Sequence, residues 1–350
     1  MIIKLRRLEA NSSRRFFYDY ICTVMITKED VFSIRNDEDF NRVALELFHY
    51  QFHHNKVFQQ YVKFLPVDTS DIHHYTQIPF LPIQFFKTKK IATIDAPPQI
   101  TFTSSGTTGM STSQHHVFDL EWYENSFRKT FKEFYGNIED IAILALLPSY
   151  LEREGSSLIY MIDDLIKSSQ QPESNYFLYN HEELYATLYH LKEKRIKTIL
   201  IGVTYALLDF VEKYRISFPE LIVMETGGMK GKRKEMIREE LHHILCQGFG
   251  VQKIHSEYGM TELLSQGYSL GDGLFRAPKW MKILVRDTND PLTILPAENS
   301  GGINVIDLAN VHSCAFIATQ DLGRVFEDNS FEVVGRFDHA DIRGCNLLVQ

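Results

Sequence analysis

Apolar positions along the chain follow two rhythms, and the switch between them divides the sequence. Between Thr27 and about Leu65, Phe40, Val43, Ala44, Leu47 and Phe48 recur at steps of three and four, which predicts helix with one buried face. The next stretch, "YTQIPFLPIQFFK", carries Pro79 and Pro82 and reads as an extended connector. A strand then enters a Ser/Thr/Gly loop. A helix is expected around Asp119–Phe134, and a buried strand over Ile141–Pro148. Further helices are expected near Ser156–Lys167 and His181–Glu193, followed by the strand "TILIGV" ending at Val203 and a helix to about Tyr214. "LIVMET" is another strand, a long helix follows from about Lys232 to Leu245, and "VQKIHSEYG" is a strand entering a turn. Apolar strands alternating with amphipathic helices predict an α/β fold, a parallel sheet covered on both faces. After about Leu270 the segments shorten. "KWMKILVRD", "GGINVIDL", "CAFIATQDLGRV" and "FEVVGRFDH" read as short strands of a smaller β-rich subdomain.

Composition narrows the function classes. The 350 residues are 44% hydrophobic and 13% aromatic, ample for a large core, with a net charge of −8. That balance argues against a nucleic-acid partner, which would need basic patches. Cys22, Cys246, Cys314 and Cys345 are far apart with no CxxC pair, so a zinc site or disulfide framework is not expected. Reduced thiols fit a cytoplasmic setting. No apolar run approaches membrane-span length. The basic, aromatic N-terminus lacks a continuous apolar stretch and is not a secretory signal. Residues 1–24 read as a start-site extension or a disordered arm ahead of Met25. Cys246, in an apolar helical end, and Cys314, in a strand, read as structural. His73, His74, His115 and His116 read as exposed pairs without partners.

Chemistry is concentrated in "TFTSSGTTGMSTS", Thr101–Ser113. Hydroxyls of Thr103, Ser104, Ser105, Thr107 and Thr108, with the flexible Gly106 and Gly109, suit a loop that wraps phosphate oxygens. No Lys follows the glycine, so it is not a Walker loop. Alone, the stretch could equally be a polar surface turn.

Three further stretches follow in order: "YGMTE" at Tyr258–Glu262, "TQDLGR" at Thr319–Arg324, and "GRFDHADIRG" from Gly335. Together the four resemble the adenylate-forming superfamily of acyl-CoA synthetases, luciferases and peptide-synthetase adenylation domains. The resemblance implies that the Ser104–Gly109 loop covers the β- and γ-phosphates of ATP. It implies that Tyr258 and Gly259 lie at the adenine face and that Thr261 bonds the α-phosphate. Glu262 is implied as the Mg²⁺ ligand, Asp321 as acceptor for the ribose hydroxyls, and Arg336 as a cation near ribose and phosphate. Gly227 and Gly228 fall where that family's adenine-pocket backbone lies. Each has a plainer alternative. Tyr258 could be a core aromatic, Glu262 and Asp321 solvated charges, Arg336 a surface partner of Asp338, and the glycine pair a turn.

Two departures stand out. The usual Pro-Lys after the loop is Met110-Ser111, and the usual continuation after "GRFD" has no counterpart, so the mobile C-terminal domain and its lysine are expected to be absent. The missing charge would then fall to Mg²⁺, Arg336, Lys230 or Lys232, or a partner protein. The short branch that this chain resembles from about Ile26 to its end is the acyl-protein synthetase of the bacterial luciferase system, through "ILALLPSYLER", "METGGMKGKR", "HSEYGMTELLSQ" and "GRFDHADIRGCNLLV". That resemblance implies activation of a fatty acid as acyl-AMP and transfer of the acyl group to Cys345, with an acyl reductase or acyltransferase as partner. It also implies an ATP- and acyl-binding domain over 25–270, a β-rich subdomain over 271–337, and a truncated hinge and tail over 338–350. Tyr150, Val203 and Tyr205 fall where the superfamily lines its acyl pocket. Two other readings stay open: a truncated acyl-CoA or aryl-CoA ligase using a diffusible thiol, and a non-catalytic module that binds acyl-adenylate.

Overall fold

The computed structural model describes residues 26–104, 112–148, 155–227 and 236–337. The N-terminal helical pattern forms α1 (Lys28–Phe32), α2 (Asp37–His54) and α3 (Lys56–Phe64). It is not one long helix, because asparagines interrupt it. Asn36 caps α2 through Asp39 N, and Asn55 ends α2 and caps α3 by accepting from Val57 N and Phe58 N. The buried Asn55 amide also donates to Ser313 O at 3.0 Å, tying these helices to the distant β-rich region.

The segment expected to be a plain connector is more structured. It holds β1 (Leu81–Pro82), which pairs in parallel with Ile317 and Ala318, and a one-turn α4 (Phe85–Thr88). Then come β2 (Ile100–Thr103), β3 (Gln114–Val117), α5 (Leu120–Tyr135), β4 (Ala142–Leu146), α6 (Ser157–Ser168), β5 (Asn175–Tyr176), α7 (His181–Lys194), β6 (Thr198–Val203), α8 (Thr204–Lys213), β7 (Ile222–Thr226), α9 (Arg238–Phe249) and β8 (His255–Tyr258). The chain continues as strands: β9 (Gly267–Ser269), β10 (Leu274–Arg276), β11 (Met281–Arg286), β12 (Ser300–Asp307), β13 (Phe316–Val325) and β14 (Phe331–Arg336).

Twelve strands share one sheet, ordered β11-β12-β13-β14-β10-β9-β8-β7-β6-β4-β5 with β1 beside β13; β2 and β3 form a separate hairpin. The strands from β5 through β8 are parallel, and those from β8 through β11 are antiparallel. The change of rhythm expected near 270 falls between β9 and β10, inside this continuous sheet. Every residue of β4 and β6 is buried, as a strand covered on both faces requires. Cys314 is fully buried just ahead of β13, and burial pushes its thiol up to about 12, so it is inert.

Candidate active site

Parallel strands leave their ligand sites at their carboxyl ends. Here β7 runs out at Thr226 into Gly227, and β8 into Gly259, Thr261 and Glu262. Gly227 has φ 76°, a left-handed conformation that favours glycine. A Cβ on Gly259 would come within 2.3 Å of Glu257 Oε1, so a side chain there would have to displace that carboxylate.

Three of the sequence-predicted residues meet at one carboxylate. Asp321 on β13 sits directly across the strand pair from Arg336 on β14. Arg336 Nε donates to Asp321 Oδ1 at 2.9 Å, and Tyr258 OH donates to Asp321 Oδ2 at 2.9 Å. Asp321 is buried while Arg336 remains exposed. Arg336 therefore pairs with Asp321. The Tyr258 ring is buried edge-on to Phe275 and Phe331, with centroids at 6.0 and 5.5 Å.

Glu262 is also buried, at 5% exposure, but its setting differs. Burial raises its carboxyl above the usual range, against a hydrogen bond from Ser113 and the charges of Arg336 and Lys87. Ser113 closes the base of the β2–β3 hairpin: Ser104 N donates to Ser113 O at 3.1 Å, and Ser113 N to Ser104 Oγ at 2.9 Å. Residues 105–111 lie between Ser104 and Ser113 in sequence. Thr103 N donates to Gly155 O at 2.8 Å. Ser105, Gly106, Thr107, Thr108, Gly109, Tyr150, Gly228, Lys230, Lys232 and Cys345 lie outside the described residues, as does the arm 1–24. Val203 and Tyr205 are buried.

The sequence reading missed the clamp that holds Thr261 and Glu262. His115, expected to be exposed, is buried. Its Nδ1 donates to Thr261 O at 2.8 Å, and its Nε2 lies 3.1 Å from Asn310 Oδ1. Burial pushes the imidazole down to about 4, so it is neutral at physiological pH. Asn310 Nδ2 donates to Glu262 O at 2.9 Å. Asp307, fully buried, accepts from Leu264 N at 2.7 Å and from Ser265 N at 2.9 Å. The correction extends to two of the other histidines: His116 Nδ1 lies 2.8 Å from Thr101 Oγ1, and His74 Nδ1 lies 2.9 Å from Thr76 Oγ1, while His73 is exposed as expected. The strand alternation in "QHHV" could have shown that one histidine of the pair faces inward.

The donor set suits a small hard cation. Among the described residues no cluster of three or more His, Cys, Asp or Glu could hold a metal by itself. Glu262, a buried carboxylate with no ion-pair partner among the described residues, would suit Mg²⁺, which takes one or two carboxylates and fills its other positions with phosphate oxygens and water.

The family model described as "Acyl-protein synthetase, LuxE" matches residues 24–350, and the chain belongs to that family, one of enzymes of the ligase class. The long-chain-fatty-acid–luciferin-component ligase of Vibrio harveyi is 23% identical over 335 residues, covering 88% of this chain and 86% of that protein. Among solved structures, 2-hydroxyisobutyryl-CoA ligase in complex with 2-HIB-AMP and CoA overlays with a TM-score of 0.62 at 10% identity, covering 91% of this chain and 73% of that one. ATP-bound MatB of Rhodopseudomonas palustris gives a TM-score of 0.52 at 17% identity and covers 69% of this chain. The chain spans about half, 49%, of the length of that MatB chain. These likenesses show the fold, that of adenylate-forming enzymes. No helix among the described residues is long and apolar enough to cross a membrane.

Proposed function

We propose that this member of the acyl-protein synthetase family activates a long-chain fatty acid with ATP as acyl-AMP and passes the acyl group to its own Cys345. The observation that carries the reading is the meeting of Tyr258, Asp321 and Arg336. Three motifs converge on one buried carboxylate, and the Arg336 charge also acts on a second buried carboxylate, Glu262.

In this reading Asp321 accepts hydrogen bonds from the ribose hydroxyls; each of its oxygens already takes one donor and retains a second lone pair. Arg336 fixes that carboxylate and turns the rest of its guanidinium toward the phosphates. Thr261 contacts the α-phosphate, and Ser104 anchors one end of the phosphate loop. Glu262 would hold Mg²⁺, which when bound neutralises phosphate charge and withdraws electron density from phosphorus. The fatty carboxylate oxygen attacks the α-phosphorus, the bond to the bridging oxygen breaks, and pyrophosphate leaves. The Cys345 thiol gives its proton to solvent, the thiolate attacks the acyl carbonyl carbon, the carbon–oxygen bond to AMP breaks, and AMP leaves. Phe337 and Cys345 are eight residues apart in sequence, a span of up to about 28 Å when extended, enough to return to the site. Arg343, two residues before Cys345, would favour the thiolate. An acyl reductase or acyltransferase would consume the thioester.

Incubation with labelled fatty acid and ATP, followed by a denaturing gel, tests this. A hydroxylamine-labile label on the wild-type chain that disappears in Cys345→Ser is the expected result. A label that survives Cys345→Ser overturns the acceptor role, and acyl-CoA formation without any protein label supports a ligase that uses a diffusible thiol.

A further inference from the structure

The branch to which this chain belongs leaves a charge problem. Met110-Ser111 stand where the phosphate loop of related sequences carries Pro-Lys, and Arg336 is partly committed to Asp321. We propose that Lys87, on the one-turn helix α4, is the cation that contacts the phosphate oxygens of ATP beside Glu262, a catalytic residue for adenylation. The inference rests on the adenylation reading above.

The placement of Lys87 is built, not incidental. β1 pairs with β13 at Ile317 and Ala318, just ahead of Asp321 on the same strand. Ile83 N donates to Ala318 O at 3.0 Å, and α4 begins immediately after, with Lys89 N closing on Phe85 O at 2.8 Å. The next anchor is Phe86, which is buried and meets the His115 ring edge-on at 5.8 Å. His115 in turn holds the carbonyl of Thr261 at 2.8 Å. Lys87 is thus one residue from a core anchor that touches the clamp of the site.

The ammonium itself is left uncommitted. Lys87 is half-buried, and its ammonium is close enough for its charge to act on Glu262. Yet the two form no ion pair, and among the described residues no carboxylate pairs with Lys87. Elsewhere in the described chain, Lys28 pairs with Asp119 and Glu121, and Lys282 with Asp37. If the role of Lys87 were to neutralise Glu262, contact would serve it best. A cation held near a buried carboxylate but out of contact leaves room for an anion between them, where Mg²⁺-bound phosphate would lie. During attack on the α-phosphorus the nonbridging oxygens and the departing pyrophosphate gain charge, and a fixed ammonium stabilises that charge without transferring a proton.

The test compares the full-length wild type with Lys87→Met, Lys87→Arg and, as a neighbouring exposed control, Lys89→Met. Fatty-acid-dependent exchange of labelled pyrophosphate into ATP is measured together with calorimetric binding of inorganic pyrophosphate in Mg²⁺ and the thermal midpoint. Lys87→Met should slow exchange about 100-fold, weaken pyrophosphate binding about tenfold, and leave the midpoint and the fatty-acid KM unchanged. Lys87→Arg should restore most of both readouts, and Lys89→Met should match wild type. Wild-type exchange and pyrophosphate affinity in Lys87→Met overturn the assignment, as do equal losses in Lys87→Met and Lys89→Met. A wild type that binds pyrophosphate but exchanges none with any fatty acid overturns the adenylation reading instead, while the loss of that binding in Lys87→Met still decides for Lys87. A wild type that binds no pyrophosphate refutes the Lys87 contact itself.

Discussion

Asp321 and Glu262 are both buried carboxylates at the same end of the sheet, at 6% and 5% exposure, yet their surroundings are opposite. Asp321 is enclosed by donors: a guanidinium across the strand pair and a phenol from β8. Glu262 has a serine hydroxyl and two cations out of contact, and burial outweighs them, so its carboxyl is raised. Folding alone gains from the first arrangement and loses from the second, because a buried charge without a partner is costly. A sequence keeps such a group for a ligand that only sometimes arrives. Asp321 thus reads as preorganised for neutral hydroxyls, and Glu262 as poised for a cation.

The largest expected break in this contrast is Glu262→Gln. It should lower pyrophosphate exchange about 1000-fold while leaving the thermal midpoint unchanged or higher. The sign follows from the raised carboxyl: ionising it costs the folded chain more than the unfolded chain. That penalty is absent below the ordinary carboxyl pKa and grows as pH rises through the raised value. The midpoint of Glu262→Gln should therefore exceed that of wild type by more at pH 8 than at pH 4. Melting curves that run together at both pH values would contradict an uncompensated Glu262.

Asp321→Asn should behave in the other way. Arg336 and Tyr258 lose a charged acceptor, so the midpoint should drop, and the ATP KM should rise about tenfold to 100-fold. A fall in kcat with ATP KM and midpoint both intact would remove Asp321 from ribose binding. The smallest effect is expected from His115→Phe, which keeps the ring volume but loses the bond to Thr261 O. The Mg²⁺ concentration for half-maximal exchange should rise about tenfold, and amide hydrogen exchange over 260–265 should quicken. An unchanged Mg²⁺ response with a lower melting midpoint would make His115 merely a core residue.

Much of the fold is legible in the amino-acid pattern. β4, β6 and β7 lie where continuous apolar runs put them, and α6, α7 and α8 start and stop within a residue or two of the expected positions. Those elements carry their own signal, since burial on both faces demands an unbroken apolar run and an amphipathic helix repeats every three to four residues. Local polarity is what misleads. Asn55 sits within a continuous helical pattern, but its side chain caps a new helix and its amide reaches Ser313 across the fold. "HH" at 115–116 has the look of a solvated pair, but one ring is buried against a carbonyl 146 residues away in sequence.

The site divides along the same line. By itself the sequence marked Tyr258, Thr261, Glu262, Asp321 and Arg336 as the candidates, because they occupy positions in short motifs whose order survives in one dimension. Only the tertiary structure decided how they are held. It set Arg336 opposite Asp321 through strand register, used His115, Asn310 and Asp307 to fix the segment that carries Glu262, and brought Lys87 from a two-proline stretch to the edge of that segment. The physical reason is that charge and hydrogen-bond complementarity act through space over a few ångströms, and partners this close are separated by 15 to 195 residues along the chain.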